Sequence, residues 1–180
     1  MIYKTILDNV SIGSLNQAHQ IVHKVMHDAD EGKPCPPFII KGDSIIIQSD
    51  TKPKMAGVAT CELDLEGLTT VRLAVRIAAV KRKNGTMLPV LANQRVDEAA
   101  MVAYVTRRFG EFGLAPVDMP RCSYRGQGVD DVHGIKSFPI CEVVGEWKVT
   151  DIANLERLLL SRVGRMKYLG LGMVRLLPKC

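Results

Sequence analysis

Four histidines and one glycine-rich cationic segment hold the chemistry this sequence could do. His19, His23 and His27 recur at every fourth position in NQAHQIVHKVMH. Imidazole ordinarily titrates at about 6.5, which suits proton transfer near neutral pH. An i, i+4 histidine pair can also bind zinc. No acidic or cysteine ligand stands beside this one at recognisable spacing, so no metal site is expected. His133, in VDDVHGIK, reads as solvent-exposed. The second segment is LERLLLSRVGRMKYLGLGMVRLLP, from Leu155 to Pro178. Gly164, Gly170 and Gly172 alternate there with Arg162, Arg165 and Lys167. Glycine lets backbone N–H groups approach a ligand closely, and fixed cations beside them suit a phosphate backbone. A tight helix–strand connection needs glycine too, so the loop reads either as a polyanion site or as a structural turn.

Charge distribution favours an acidic partner. The 180 residues carry a formal net charge of +5, with a pI of about 9.0. No Asp or Glu occurs from Gly67 to Val96, a stretch with Arg72, Arg76, Lys81, Arg82, Lys83 and Arg95. None occurs from Arg162 to Cys180 either. One such run reads as a solvated face; two in a small chain point toward nucleic acid. Hydrophobic residues make up 47% and charged residues 24%, which excludes an intrinsically disordered chain. Cys35, Cys61, Cys122, Cys141 and Cys180 are odd in number and widely spaced, without a C-x-x-C pair. That argues against a zinc ribbon or thioredoxin motif and for reduced, cytoplasmic thiols. MIYKTILD has no signal-peptide pattern, and no apolar run approaches the roughly 20 residues that span a bilayer.

The elements that must position these residues follow from periodicity. Ile2 to Leu7 reads as a strand and Leu15 to Asp28 as a helix, capped by Ser11 or Ser14, with Leu15, Ala18, Val22, Val25 and Met26 on one face. At roughly 100° per residue His19 falls at the margin of that stripe. Phe38–Ile40 and Ser44–Gln48 flank a Lys-Gly-Asp turn and form a hairpin. Val58–Leu65 is extended, and Thr69–Val80 is a long strand leading into the basic loop Lys81–Gly85. Met87–Leu91 then starts a second half. Its helix is Asp97–Phe109, followed by short strands at Ala115–Val117 and Arg121–Tyr124, an extended Ser137–Trp147, a helix Asp151–Leu160 and a strand Leu171–Leu177. The second half is β-α-β-β-α-β, the ferredoxin-like order. The first repeats it with a reduced second helix. The expected fold is therefore α+β, two tandem ferredoxin-like halves at residues 1–84 and 85–180.

This pattern resembles the CRISPR repeat-cleaving endoribonucleases, RAMP-type proteins, in their type I-E Cascade form with its type IV relatives. The resemblance runs nearly the whole length. IIIQS (Ile45–Ser49) looks like the family's first-half strand, VRIAAVK (Val75–Lys81) its basic strand end, and DEAAMVAYVTRRFGEFG (Asp97–Gly113) its second-half helix. The loop G-x-x-K-x-x-G-x-G looks like its glycine-rich loop, although Arg162 stands where that loop usually begins with another glycine. The resemblance implies metal-independent cleavage of CRISPR precursor RNA at the base of a repeat stem-loop. It also implies retention on the guide RNA 3′ hairpin as a subunit of a multi-protein effector complex. It places the catalytic histidine at His19 and a phosphate-facing lysine at Lys136. Asn16 occupies a position where some members carry tyrosine. Asn can hydrogen-bond a phosphate oxygen but cannot readily exchange a proton, so an inactive hairpin-binding subunit is the alternative.

Duplex RNA is held through shape and phosphates. Candidate contacts are Arg76, Lys81, Arg82, Lys83, Arg121, Arg125, Arg162, Gly164, Arg165, Lys167, Gly170 and Gly172. Arg107 and Arg108 either join them or complement a helix dipole. Aromatic residues are only 5% of the chain, which argues against stacking along single strands. Tyr124, Trp147 and Tyr168 read as packing residues. Two readings from other classes remain open: a ferredoxin-like module for protein or small molecules, and a histidine-helix metalloprotein.

Overall fold

The computed structural model describes residues 1–27, 34–55, 57–84, 86–129, 137–165, 167 and 170–178. Its first sheet is built from β1 (Ile2–Leu7), β2 (Phe38–Lys41), β3 (Ser44–Ser49) and β4 (Ala59–Leu63), in the order β2-β3-β1-β4. All neighbours are antiparallel. That is the order of a ferredoxin-like half. Helix α1 (Leu15–Met26) connects β1 to β2, and no helix occurs among the described residues between β3 and β4. Ser14 is the N-cap: its hydroxyl accepts from the Gln17 N–H at 3.1 Å, while the Gln17 side chain accepts from the Gly13 N–H at 2.7 Å. This is a variant of the capping box in which Gln17 reaches the N–H of the residue before the cap. The apolar face of α1, Ala18, Val22, Val25 and Met26, buries against Leu7, Phe38, Ile45 and Ile47.

The second sheet contains β5 (Thr70–Ala78), β10 (Leu114–Pro116), β11 (Arg121–Val129), β12 (Ser137–Val149) and β13 (Val174–Leu177). Its order is β10-β12-β5-β13, with β11 also paired to β12. Helices α2 (Glu98–Gly110) and α3 (Ile152–Leu160), each N-capped by an aspartate, Asp97 and Asp151, complete a second ferredoxin-like half. The odd-numbered residues Val71, Leu73, Val75 and Ile77 share the core with Val143, Trp147, Phe109 and Leu158. The Phe109 and Trp147 rings lie 4.6 Å apart at its centre. Even-numbered residues of β5 and β12 therefore occupy the opposite face of the sheet.

One strand belongs to the other half from the one expected. Thr69–Val80 reads in sequence as the end of the first half, yet β5 is the centre of the second sheet, paired with β12 and β13. The two sheets thus change over between Leu63 and Thr70, upstream of the expected 84/85 division. The reason is pairing, which is non-local. A strand buried on both faces shows the same β-branched run whichever sheet it joins. Met87–Leu91 does not start the second sheet. It contributes to β7 (Thr86–Pro89), which pairs with β6 (Val80–Lys83), and to β8 (Leu91–Ala92), which pairs with β9 (Arg95–Val96). The other expected elements stand within a few residues of their positions; β11 runs on to Val129 and β13 starts at Val174. The four described cysteines are thiols. No helix among the described residues is long and apolar enough to cross a membrane.

Candidate active site

The site forms where the loop after α3 returns across the first half. Ser161 ends α3, and the chain reaches β13 through an antiparallel bridge between Arg162 and Met173. The Val163 N–H donates to the Gly172 carbonyl at 2.8 Å, and the Gly172 N–H donates to the Arg76 carbonyl at 2.7 Å. The loop is thereby closed on itself and fastened to β5. Gly172 has φ +85°, and a Cβ there would overlap the Val163 carbonyl. Gly170 has φ +73°, and a Cβ there would stand 2.7 Å from Cε2 of Phe38. These two glycines let the loop close and let its backbone lie against the Phe38 ring.

Phe38, buried at the start of β2, is the common wall of the site. The His19 imidazole approaches its ring at 6.3 Å between centroids, and the Arg162 guanidinium lies 5.8 Å from its centre. Arg162 also donates to the carbonyls of Cys35 and Pro36 in the first half and of Lys167 in the loop, the last at 2.8 Å. Its N–H groups clasp the loop to the segment before β2. His19 is partly buried at the margin of α1, as its place on the stripe predicts. Burial, then the charges of Arg162 and His23, hold its imidazole below the ordinary value. A neutral imidazole at neutral pH can accept a proton. Asn16, one turn earlier, is exposed.

Around this core the cations sort into groups. Arg165 and Lys167 are exposed on the loop. Burial, then the charges of Arg108 and Arg162, lower the Lys167 ammonium below its usual range. Arg107 and Arg108 both pair with Glu111 at the end of α2, Arg107 at 2.8 Å. Lys81 and Lys83 are exposed on β6. Arg82 holds its register there, with its side chain outside the described atoms. Gly164 packs beside Ile77. Arg121 is exposed on β11, whereas Arg76 and Arg125 both bind the buried carboxylate of Glu142. Lys136, His133 and Tyr168 lie outside the described residues.

At Phe38 the structure therefore brings His19 together with Arg162 and Gly170 of a loop far downstream in sequence, with Arg162 holding the Lys167 carbonyl. It adds Phe38 and Glu142, which sequence reasoning did not single out. Nothing in the sequence around Phe38 or the glycines pointed to their contact. Glu142 is an acid set within the apolar run FPICEVV of β12. Trp147 is buried as expected, but Tyr124 is half exposed. A cleft of about 410 Å³ lies beside the clasp, lined by Met26, Pro36, Gln48, Asp50, Arg162 and Lys167. A larger cavity of about 910 Å³, between β9 and β11, includes Arg95 and Tyr124 but lacks histidine. Among the described residues no group of three His, Cys, Asp or Glu side chains is placed to hold a metal ion. His23 and His27 meet edge to face at 5.1 Å.

No protein-family model matches the sequence, and no curated protein matches it. Solved structures do match the fold. Cse3 of Thermus thermophilus, bound to an RNA representing a pre-cleavage complex, matches with a TM-score of 0.74 at 18% identity, over 98% of this chain and 99% of that one. The CRISPR-associated protein Cas6e of Escherichia coli K-12 matches with a TM-score of 0.74 at 15% identity, over 99% and 100%. A chain of E. coli Cascade bound to a PAM-containing double-stranded DNA target matches with a TM-score of 0.57 at 16% identity, over 98% and 99%. Along its whole length, then, this chain has the α+β fold of the CRISPR endoribonuclease Cse3 and of Cas6e, two tandem ferredoxin-like halves with antiparallel sheets.

Proposed function

We propose that this chain is a metal-independent endoribonuclease that cuts CRISPR precursor RNA within the repeat, at the base of its stem-loop. The observation that carries this reading is His19, held neutral beside a closed glycine loop that exposes Arg165 and Lys167. His19 takes the proton from a ribose 2′-hydroxyl. The 2′-oxygen attacks the adjacent phosphorus, and the bond to the 5′-oxygen breaks. The products are a 2′,3′-cyclic phosphate and, once the leaving oxygen is protonated, a 5′-hydroxyl. Cations steady the charge that builds on the phosphorane; Lys167 and Arg165 are the described candidates, and Lys136 is assigned the same role by resemblance. Asn16 supplies a hydrogen bond to a phosphate oxygen. Lys81, Arg82, Lys83 and Arg121 hold the duplex by its phosphates. The protein then stays on the 3′ hairpin of the guide RNA in the cytoplasm, as a subunit of an effector complex. The full-length fold match to an RNA-bound Cse3 and to a Cascade chain supports this partnership.

A second reading rests on Asn16. With no second proton-transfer group at that position, the chain is an inactive hairpin-binding subunit. Single-turnover cleavage of the host's own repeat RNA in EDTA separates the two. Cutting at one site by the wild type, reduced by about 10² to 10⁴-fold in His19→Ala, is the expected result. Tight binding without cleavage by either protein would establish the second reading instead.

A further inference from the structure

Glu142 lies at the middle of β12, on the sheet face turned away from α2 and α3, with only 5% of its surface exposed. Three arginines from three different strands converge on it. Arg76 of β5 donates from Nε to Oε1 at 3.0 Å, Arg125 of β11 donates from Nη2 to Oε2 at 2.6 Å, and Arg175 of β13 donates from Nη2 to Oε1. Burial pushes the Glu142 carboxyl up. The charges of Arg175 and Arg76 and the hydrogen bonds from Arg76 and Arg125 outweigh it and hold the group below the usual carboxylate range.

We propose that Glu142 organises Arg76, Arg125 and Arg175 into a cradle for the phosphodiester backbone of a bound RNA. The inference rests on the nucleic-acid reading above and adds a site to it. One guanidinium already balances the charge of a carboxylate. Three cations against one anion leave two positive charges held close together, and like charges so placed repel. An approaching polyanion relieves that repulsion. The donors for it are present: Arg76 meets Glu142 through Nε alone and Arg125 through one Nη, so the planar forks keep N–H groups for phosphate oxygens. The side chains of Arg76 and Arg125 remain 32% and 48% exposed, so a ligand can reach them. Arg121, paired across from Val144 on the same face, extends the cationic surface. Position supports the assignment as well. The Arg76 carbonyl is the one that Gly172 fastens, and Leu171 packs on Ala78, the next residue of β5 on the cradle's face. An RNA crossing the glycine loop from His19 is thereby led onto the cradle. Glu142 is a positioning residue in this scheme: it fixes the guanidinium groups and does not touch the RNA.

The test is equilibrium binding of the host's repeat hairpin over a salt series, for wild type, Arg125→Ala and Glu142→Gln. Arg125→Ala should weaken binding about tenfold and reduce the slope of log K against log salt by about 0.7 to 0.9, the loss of one phosphate contact. Glu142→Gln gives the opposite sign to a simple charge effect. Removing a carboxylate from a merely basic surface would tighten binding; loss of the organising anion should weaken it. Competition by 10 mM inorganic phosphate at constant ionic strength should be negligible for an RNA site; full competition would assign the cradle to free phosphate and overturn the proposal. Unchanged affinity and slope in Arg125→Ala, an exposed position with little risk to folding, would also overturn it. The cleavage reading fails separately, since a wild type that binds but does not cut leaves these slopes to be read. A wild type that binds no RNA defeats both.

Discussion

The Arg162 guanidinium lies 5.8 Å from the centre of the Phe38 ring, and that ring is also the neighbour of His19 at 6.3 Å. The loop and the histidine are therefore coupled through one buried aromatic side chain. Arg162 holds the loop with its planar fork, reaching the carbonyls of Cys35, Pro36 and Lys167. Lysine keeps the charge, but its compact ammonium lacks the planar fork that spans these carbonyls and lies over a ring. Arg162→Lys should lose about 2 kcal/mol of stability, seen as a fall in Tm of about 4 to 8 °C for a chain of this length. Single-turnover cleavage should fall as well, while hairpin affinity changes little. Preserved cleavage in Arg162→Lys would uncouple the loop from His19.

As the proposed base, His19 would set an acid limb for cleavage. Its pKa is lowered by burial, then by Arg162 and His23, so the base stays neutral to a lower pH than an ordinary imidazole. The cleavage rate should fall with acid below about 6.5 and not at that value. Arg162→Gln removes one of the causes, and the His19 titration followed by NMR should move upward toward the ordinary range. Stability follows with its own sign. Between the lowered folded value and the unfolded one, the unfolded chain binds the extra proton, so stability rises with pH. The contribution is complete above about 6.5 and is lost as pH falls through the folded value. His19→Asn should flatten that part of the stability profile.

How much of this was legible in the sequence depended on whether the signal was local. The α1 stripe and a serine cap before it, Ser11 or Ser14, are encoded within a few residues and read directly; Asp97 and Asp151 read as the first residues of their helices, and the structure makes them the caps. The glycine loop was legible as a loop with cations, because Gly and charge are local facts. Which sheet Thr70–Ala78 joins was not, because β5 acquires its neighbours from residues more than 60 positions away. The same reason hid Phe38. Its role comes from Gly170 and Arg162, more than 120 residues downstream, and no pattern around FIIK announces it. Arg76 was legible as a cation on a strand end. Its binding to Glu142 was not, since cross-strand register decides it.

The two loop glycines should fail differently when substituted. A Cβ at Gly172 meets the Val163 backbone, which is held in the bridge to the loop and cannot give way. Combined with φ +85°, Gly172→Ala should cost about 3 kcal/mol or more. A Cβ at Gly170 meets the side chain of Phe38 instead, and the ring that must shift is the neighbour of His19. Gly170→Ala should therefore cost less stability, about 1 to 2 kcal/mol, yet shift the His19 ring resonances and slow cleavage. Thermal melts and histidine NMR on the two variants read both effects; equal Tm losses with unmoved His19 signals would contradict this division.

Gln48 joins the two halves and gives a prediction whose sign changes with pH. Its side chain is buried in IIIQS, and its amide nitrogen donates to the Leu159 carbonyl at 3.0 Å and the Val174 carbonyl at 2.8 Å. One residue of the first sheet thereby ties the end of α3 and the start of β13. Gln48→Leu keeps the volume and leaves both carbonyls without a donor, which should cost about 2 to 4 kcal/mol. Gln48→Glu is the sharper test. A carboxylate there would face two carbonyl oxygens with nothing to donate, and burial also disfavours its charge, so its pKa should rise above the unfolded value. Protonated, the same group donates to one of the two carbonyls. A group whose folded pKa is raised lends its stability below the unfolded pKa and loses it as pH rises through the folded one. Gln48→Glu should therefore lie closest to wild type in acid and be most destabilised at neutral pH and above. Urea denaturation of both proteins at about pH 5 and pH 8 measures the difference. A stability gap that stayed constant, or widened in acid, would mean that water reaches Gln48 and that the two halves are tied elsewhere.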